Sequence, residues 1–133
     1  MDRFAKEIKE LKGGKVVSRQ SHLNLLTPIM DELGVLRVGG RLNRAERPYD
    51  AAHPIILPKK HHTTRLVIAD VHYRCRHAGV NHVLVPVRSR YWVIDGRQEV
   101  KNWDQECKSC ERRRAKPATQ ITAPLPTSRM ECR

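Results

Sequence analysis

An α+β fold is what this sequence predicts, on three observations. Short apolar runs cut by glycine and proline occupy residues 1–58, and apolar residues recur at helical spacing through much of residues 63–103. His72, His77, Cys107 and Cys110 bracket most of that helical stretch. The expected plan is a helix and small β-hairpin over residues 1–58, a metal-stapled three-helix module over 59–116, and an extended basic tail, rich in proline, over 117–133.

Phe4, Ile8 and Leu11 recur at helical spacing among Lys and Glu, and Gly13-Gly14 ends the pattern, so a short amphipathic helix is expected over residues 2–12. Pro28-Ile29-Met30 and Val35-Leu36-Arg37-Val38 flank a turn containing Gly34 and read as a hairpin closed by Gly39-Gly40. His53-Pro-Ile-Ile-Leu-Pro58 is apolar between prolines. Proline has no amide for a central ladder, so this run is expected as an edge strand against the hairpin. From Thr63 to Tyr73, Leu66, Ala69 and Tyr73 share one face with Val67 and Val71 beside it, and Thr63 or His62 supplies the N-cap. After Gly79 a second helix is expected from Asn81 to Arg88, with Val83, Leu84 and Val87 inward and Pro86 keeping it short. Tyr91-Trp92-Val93-Ile94 is the densest apolar cluster and is expected to form the module's core. Asp95 caps a third helix, in which Val100 and Trp103 lie on nearly one face and which leads to Cys107. Beyond Cys110 the run Glu111-Arg-Arg-Arg-Ala-Lys116 is basic, and Pro117, Pro124 and Pro126 make the rest an extended tail.

Composition narrows the function classes. With 39% hydrophobic and 5% aromatic residues, the 133-residue chain has little to bury, so burial alone gives a thin core. A structural zinc ion contributes about 10–16 kcal/mol in small finger peptides, against roughly 5–15 kcal/mol for the net stability of a whole domain. Metal can therefore decide whether the C-terminal half folds. The formal net charge of +12 favours polyanionic partners, nucleic acid first among them. No apolar run approaches the roughly eighteen residues of a membrane span, and Met1-Asp2-Arg3 leads into no apolar block, so a soluble chain without a secretory signal is expected. In a reducing compartment the close cysteine pair serves metal rather than a disulfide.

Cys107-Lys-Ser-Cys110 is the cysteine half of a tetrahedral zinc site, because two intervening residues let both sulfurs face one ion. The histidine half is looser. His72 and His77 on one continuous helix would diverge by about 140°. If both bind metal, the helix must end near Arg74, and Ala78-Gly79 makes that ending reasonable. A rival set takes His72 with Cys75, three residues apart on one face, together with Cys107 and Cys110. Spacing alone leaves both sets open.

The stretch Val71-His72-Tyr-Arg-Cys-Arg-His77-Ala-Gly79, then Val83-Leu84, Arg88-Ser-Arg90-Tyr91-Trp92, Val100 and Cys107-Lys-Ser-Cys110, resembles the zinc-binding domain of retrotransposon and retroviral integrases. The segments Leu36-Arg-Val-Gly-Gly-Arg-Leu42, Ala45 and His53 to Pro58 upstream, and Pro117 and Leu125-Pro126-Thr-Ser-Arg129 downstream, resemble the flanks of that domain in Pao/BEL-type polyproteins. The resemblance implies one structural zinc held by His72, His77, Cys107 and Cys110; Cys75 then reads as a buried or spare thiol and Cys132 as a tail thiol. It implies DNA partners at element ends, self-association or contact with an integrase core, and a nuclear or retroelement-particle location. Two departures stand out. Val83 follows His82 where the family commonly places a threonine, and no acidic triad of a catalytic core is assignable, so a non-catalytic module is expected. The alternatives are part of a polynucleotidyl transferase whose core lies elsewhere, and a co-opted protein-interaction module. Arg112, Arg113, Arg114 and Lys116 are the candidate phosphate contacts, and the arginine run reads equally as a solvated linker. Tyr91 and Trp92 are expected in the core rather than stacked on bases.

Overall fold

The computed structural model describes residues 4–40 and 48–119. Elements follow in the order α1 (Ala5–Lys12), a 3-10 turn (Asn24–Leu26), β1 (Ile29–Met30), β2 (Leu36–Arg37), α2 (Tyr49–Ala52), β3 (Ile55–Leu57), α3 (His62–Arg74), α4 (Val80–Arg88), β4 (Tyr91–Val93), α5 (Gly96–Glu106) and α6 (Lys108–Arg114). The expected α+β class holds. The candidates Leu42 and Ala45, and the tail from residue 120 onward with Leu125 and Cys132, lie outside the described residues. None of the described helices is long and apolar enough to cross a membrane.

The hairpin is built by Asp31. One carboxylate oxygen accepts the amides of Leu33 (3.0 Å) and Val35 (2.9 Å), and Gly34 takes the left-handed φ of +73° that closes the turn. The other oxygen accepts Arg37 Nε at 2.8 Å, while Arg37 Nη1 donates to Asp50 (2.9 Å) and to the His53 carbonyl (3.0 Å). One buried guanidinium thus ties the turn, α2 and the entry to β3 together.

The sheet order is β1-β2-β3-β4, with antiparallel pairs Met30↔Leu36 and Arg37↔Ile55 and a parallel ladder Ile55↔Tyr91 to Leu57↔Val93. This corrects the edge-strand expectation: β3 is interior, paired on both sides. Its prolines flank the ladder rather than interrupt it. Pro54 and Pro58 serve only as acceptors, from the Val38 amide at 2.9 Å and the Thr64 hydroxyl at 2.6 Å. The parallel partner also explains the sequence between them, because a parallel return needs a crossover, here α3 and α4.

The main core joins sheet to helices: Leu57 and Val93 pack with Ile68, Val71, Val83, Leu84, Val87 and Val100. Each such aliphatic side chain contributes about 1.5–3 kcal/mol when fully buried. Five expectations shift here. Of the cluster Tyr91 to Ile94 only Val93 is buried. Trp92 is 37% exposed with the Arg88 guanidinium 6.0 Å from its ring centroid, since side chains alternate along a strand and Val93 takes the inner side. On α3 the buried face is Thr64, Ile68, Val71 and His72, leaving Leu66 and Tyr73 exposed. Asp95 does not cap α5 with its side chain. Its carboxylate accepts Lys59 Nζ at 2.9 Å, and its carbonyl accepts the amides of Gln98 and Glu99. At α3 the cap is His61, whose Nδ1 accepts the Thr63 amide at 3.2 Å. Finally, the basic run after Cys110 belongs to a fourth helix of the module, α6, where three were expected.

Candidate metal centre

The two histidines converge because α3 stops where the ligand geometry requires. Cys75 closes the helix, and Arg76 and His77 both take left-handed backbone, at φ of 52° and 59°. Two consecutive non-glycine residues there cost on the order of 1–3 kcal/mol each, a cost the fold must offset locally. The turn is fixed by the His77 amide donating to the His72 carbonyl (3.0 Å) and the Ala78 amide to that of Cys75 (3.1 Å). The cysteines flank a helix start. Cys107 ends α5 through its amide to the Trp103 carbonyl (2.9 Å), and its own carbonyl accepts the Glu111 amide (2.9 Å), beginning α6 with Cys110 in its first turn.

His72 Nε2 lies 3.0 Å from His77 Nδ1 and 3.3 Å from Cys110 Sγ. His77 Nδ1 lies 3.3 Å from Cys107 Sγ and 3.8 Å from Cys110 Sγ. All four donor atoms fall within 4.8 Å of one another. A tetrahedron with zinc–nitrogen and zinc–sulfur bonds of ordinary length has N–N, N–S and S–S edges of about 3.3, 3.6 and 3.8 Å. The N–S spacings straddle their expected edge, the N–N spacing is a few tenths of an ångström shorter, and all four donors lie within 4.8 Å, so the donor set fits an ion of that size.

The electrostatics of the protein groups suit a soft divalent ion. His72 is fully buried, and burial first, with His77 beside it, holds its imidazole below the ordinary range, so it stays neutral and its Nε2 lone pair is available. Burial pushes the Cys110 thiol up. A bound cation reverses that preference by stabilising the thiolate. His72 Nδ1, the nitrogen facing away from the other donors, is buried without a protein partner. Ligating histidines ordinarily donate that proton to a carbonyl or carboxylate.

Cys75 stays outside the cluster, so the rival set is not assembled. Its thiol faces the His82 carbonyl at 4.0 Å. Pro86, four residues on inside α4, has no amide to give that carbonyl, and the thiol stands in weakly. The four candidate phosphate contacts separate. Arg112 and Lys116 are exposed and make no side-chain hydrogen bond or ion pair among the described residues. Arg113 Nη2 donates to the His77 carbonyl and to Cys110 Sγ (3.4 Å), and Arg114 clamps Asp104 through Nη1 to Oδ2 (2.9 Å) and Nη2 to the carbonyl (2.7 Å). Sequence reasoning missed both; the i+3 spacing of Arg113 from Cys110 signals the first once α6 is helical, whereas the Arg114–Asp104 clamp joins two different helices.

Residues 59–116 match the integrase zinc binding domain. The match covers α3 through α6, β4 and all four donors. No curated protein and no solved structure matches the chain. The matched residues therefore supply α3 through α6 and the donor cluster. The hairpin, α2 and β3 lie upstream of the match and reach it through the β3–β4 ladder.

Proposed function

We propose that His72, His77, Cys107 and Cys110 hold one structural zinc ion, and that the module they close binds DNA and assists assembly of an integrase within a retrotransposon polyprotein. The observation that carries the reading is the convergence of two imidazole nitrogens and two thiol sulfurs inside the integrase-type domain. Four protein ligands leave no coordination position for water, so the ion stabilises the fold and performs no chemistry. Support for DNA comes from the net charge of +12 and from Arg112 and Lys116 at the exposed end of α6. Element ends are the natural target of such a domain, with a second copy or the integrase core as its protein partner, in the nucleus or in cytoplasmic retroelement particles.

Metal analysis of the purified chain beside His77→Ala and Cys75→Ser tests the ligand set. One zinc per chain in the native protein and in Cys75→Ser, with loss in His77→Ala, supports it. Loss in Cys75→Ser with retention in His77→Ala would establish the rival set. A native chain that keeps its zinc yet fails to bind duplex DNA at low salt would favour a protein-interaction module instead.

A further inference from the structure

The geometry points to Arg113 as the positioning residue of the metal centre: its guanidinium holds the Cys110 sulfur and the His77 loop in ligating register, and so sets how tightly the site keeps a thiophilic divalent ion. The inference rests on the zinc reading above and deepens it. Nη2 of Arg113 carries two hydrogens and has two acceptors, Cys110 Sγ at 3.4 Å and the His77 carbonyl. A single nitrogen therefore bridges the two halves of the ligand set, one from the loop after α3 and one from α6.

Both halves need such a tie. His77 sits at a left-handed φ of 59°, a conformation that persists only where neighbours enforce it. Helix α6 is seven residues long and buries Cys110 alone, so polar ties orient it, the Arg114 clamp on Asp104 toward α5 and Arg113 toward the His77 loop. The usual support from the imidazole side is missing at His72, whose Nδ1 has no protein partner. Support falls instead on the sulfur side. A metal-bound thiolate sulfur is electron-rich, and an N–H from a cation is a charge-assisted donor to it. Arg113 thereby withdraws density from the sulfur and covers it against electrophiles. Its neighbours differ: Arg114 is committed to Asp104, and Arg112 to nothing among the described residues. Lysine at this position keeps the charge but loses the planar fork.

The test compares native chain, Arg113→Gln, Arg113→Lys and, as control, Arg112→Gln, by zinc competition against a chromophoric chelator and by the spectrum of the Co(II)-substituted centre. Arg113→Gln is expected to lose about 10–100-fold in zinc affinity, the usual effect of removing an outer-shell partner. Its sulfur-to-cobalt charge-transfer band moves to lower energy as the sulfur loses its hydrogen bond. Arg113→Lys falls between native and Arg113→Gln on both readouts, and decides alone if Arg113→Gln does not fold. Arg112→Gln matches native. Native affinity in the Arg113 variants overturns the proposal, as does a drop in affinity with an unmoved band, which marks a purely structural tie through the His77 carbonyl. A native chain that binds neither metal ion refutes the zinc reading itself and takes this inference with it.

Discussion

If the end of α6 is a DNA interface, the side-chain contacts fix how much salt dependence it supplies. Four cations over residues 112–116 are visible in the sequence, and four phosphates neutralised correspond to a slope of about −3.6 in log affinity against log salt. Arg113 and Arg114 are held by the His77 carbonyl, Cys110 and Asp104, which leaves Arg112 and Lys116. At about −0.9 per phosphate, these two contribute about −1.8, or roughly a twelvefold fall in affinity between about 50 and 200 mM salt. The perturbation is the double variant Arg112→Ser/Lys116→Ser. Neither residue touches a donor, so zinc content stays native. Fluorescence anisotropy with a labelled duplex at several salt concentrations reads the slope, which should flatten by about 1.8 in the double variant. An unchanged slope refutes the reasoning and moves any interface to the surface around Arg88 and Arg90. Flattening by the full 3.6 in a quadruple variant that retains its zinc would mean that Arg113 and Arg114 leave their internal partners for phosphate.

Other parts of the account are open to measurement. Arg37→Leu removes a cation with a side chain only 10% exposed and strands Asp31, equally buried, so a loss of about 3–5 kcal/mol in urea unfolding is expected, largely recovered by adding Asp31→Asn. A loss under about 1 kcal/mol would show that the pair is not needed. Arg37 holds the Asp31 carboxyl below its ordinary value of 3.8; the stabilisation is therefore present above that value and disappears as pH falls through the lower folded one. An acid titration should show a larger such component in the native chain than in Arg37→Leu, where the Val35 and Leu33 amides still hold the carboxylate. Ile68→Ala empties a site 1% exposed and should cost about 2–5 kcal/mol, whereas Trp92→Ala, at 37% exposure, should cost less than about 2. The reverse ranking in thermal unfolding would restore Trp92 to the core.

The donor cluster was legible in part: the Cys107–Cys110 spacing marked one half, the family resemblance chose His77 over Cys75, and the structure brings the four donor atoms within 4.8 Å of one another. The same choice located the end of α3: two histidines five apart cannot meet on an unbroken helix, and Arg76 and His77 break it with left-handed backbone. Packing was less legible. The prolines around Ile55–Leu57 signalled an edge because they cannot donate, yet both stand just outside the ladder. The parallel partner Tyr91–Val93 is remote in sequence and hidden within an apolar cluster that shows no strand alternation. On α3 the hydrophobic pattern pointed to the face of Leu66 and Tyr73. Burial of His72 within the donor cluster goes with the face of Ile68 and Val71 turned inward instead. Helix α6 has almost no apolar periodicity, only Cys110 buried among charged residues, so its arginines read as a linker while their partners lay on other elements.

The central claim is that one zinc ion closes the helical module. Its most direct test is far-UV circular dichroism of the native chain, with zinc quantified in the same samples, as a high-affinity chelator is added and zinc then returned. The account predicts one zinc per chain, collapse of much of the helical signal from α3 through α6 on chelation, and recovery on restoring one equivalent. Full helicity and an unchanged melting temperature in a sample shown to contain no metal would contradict it.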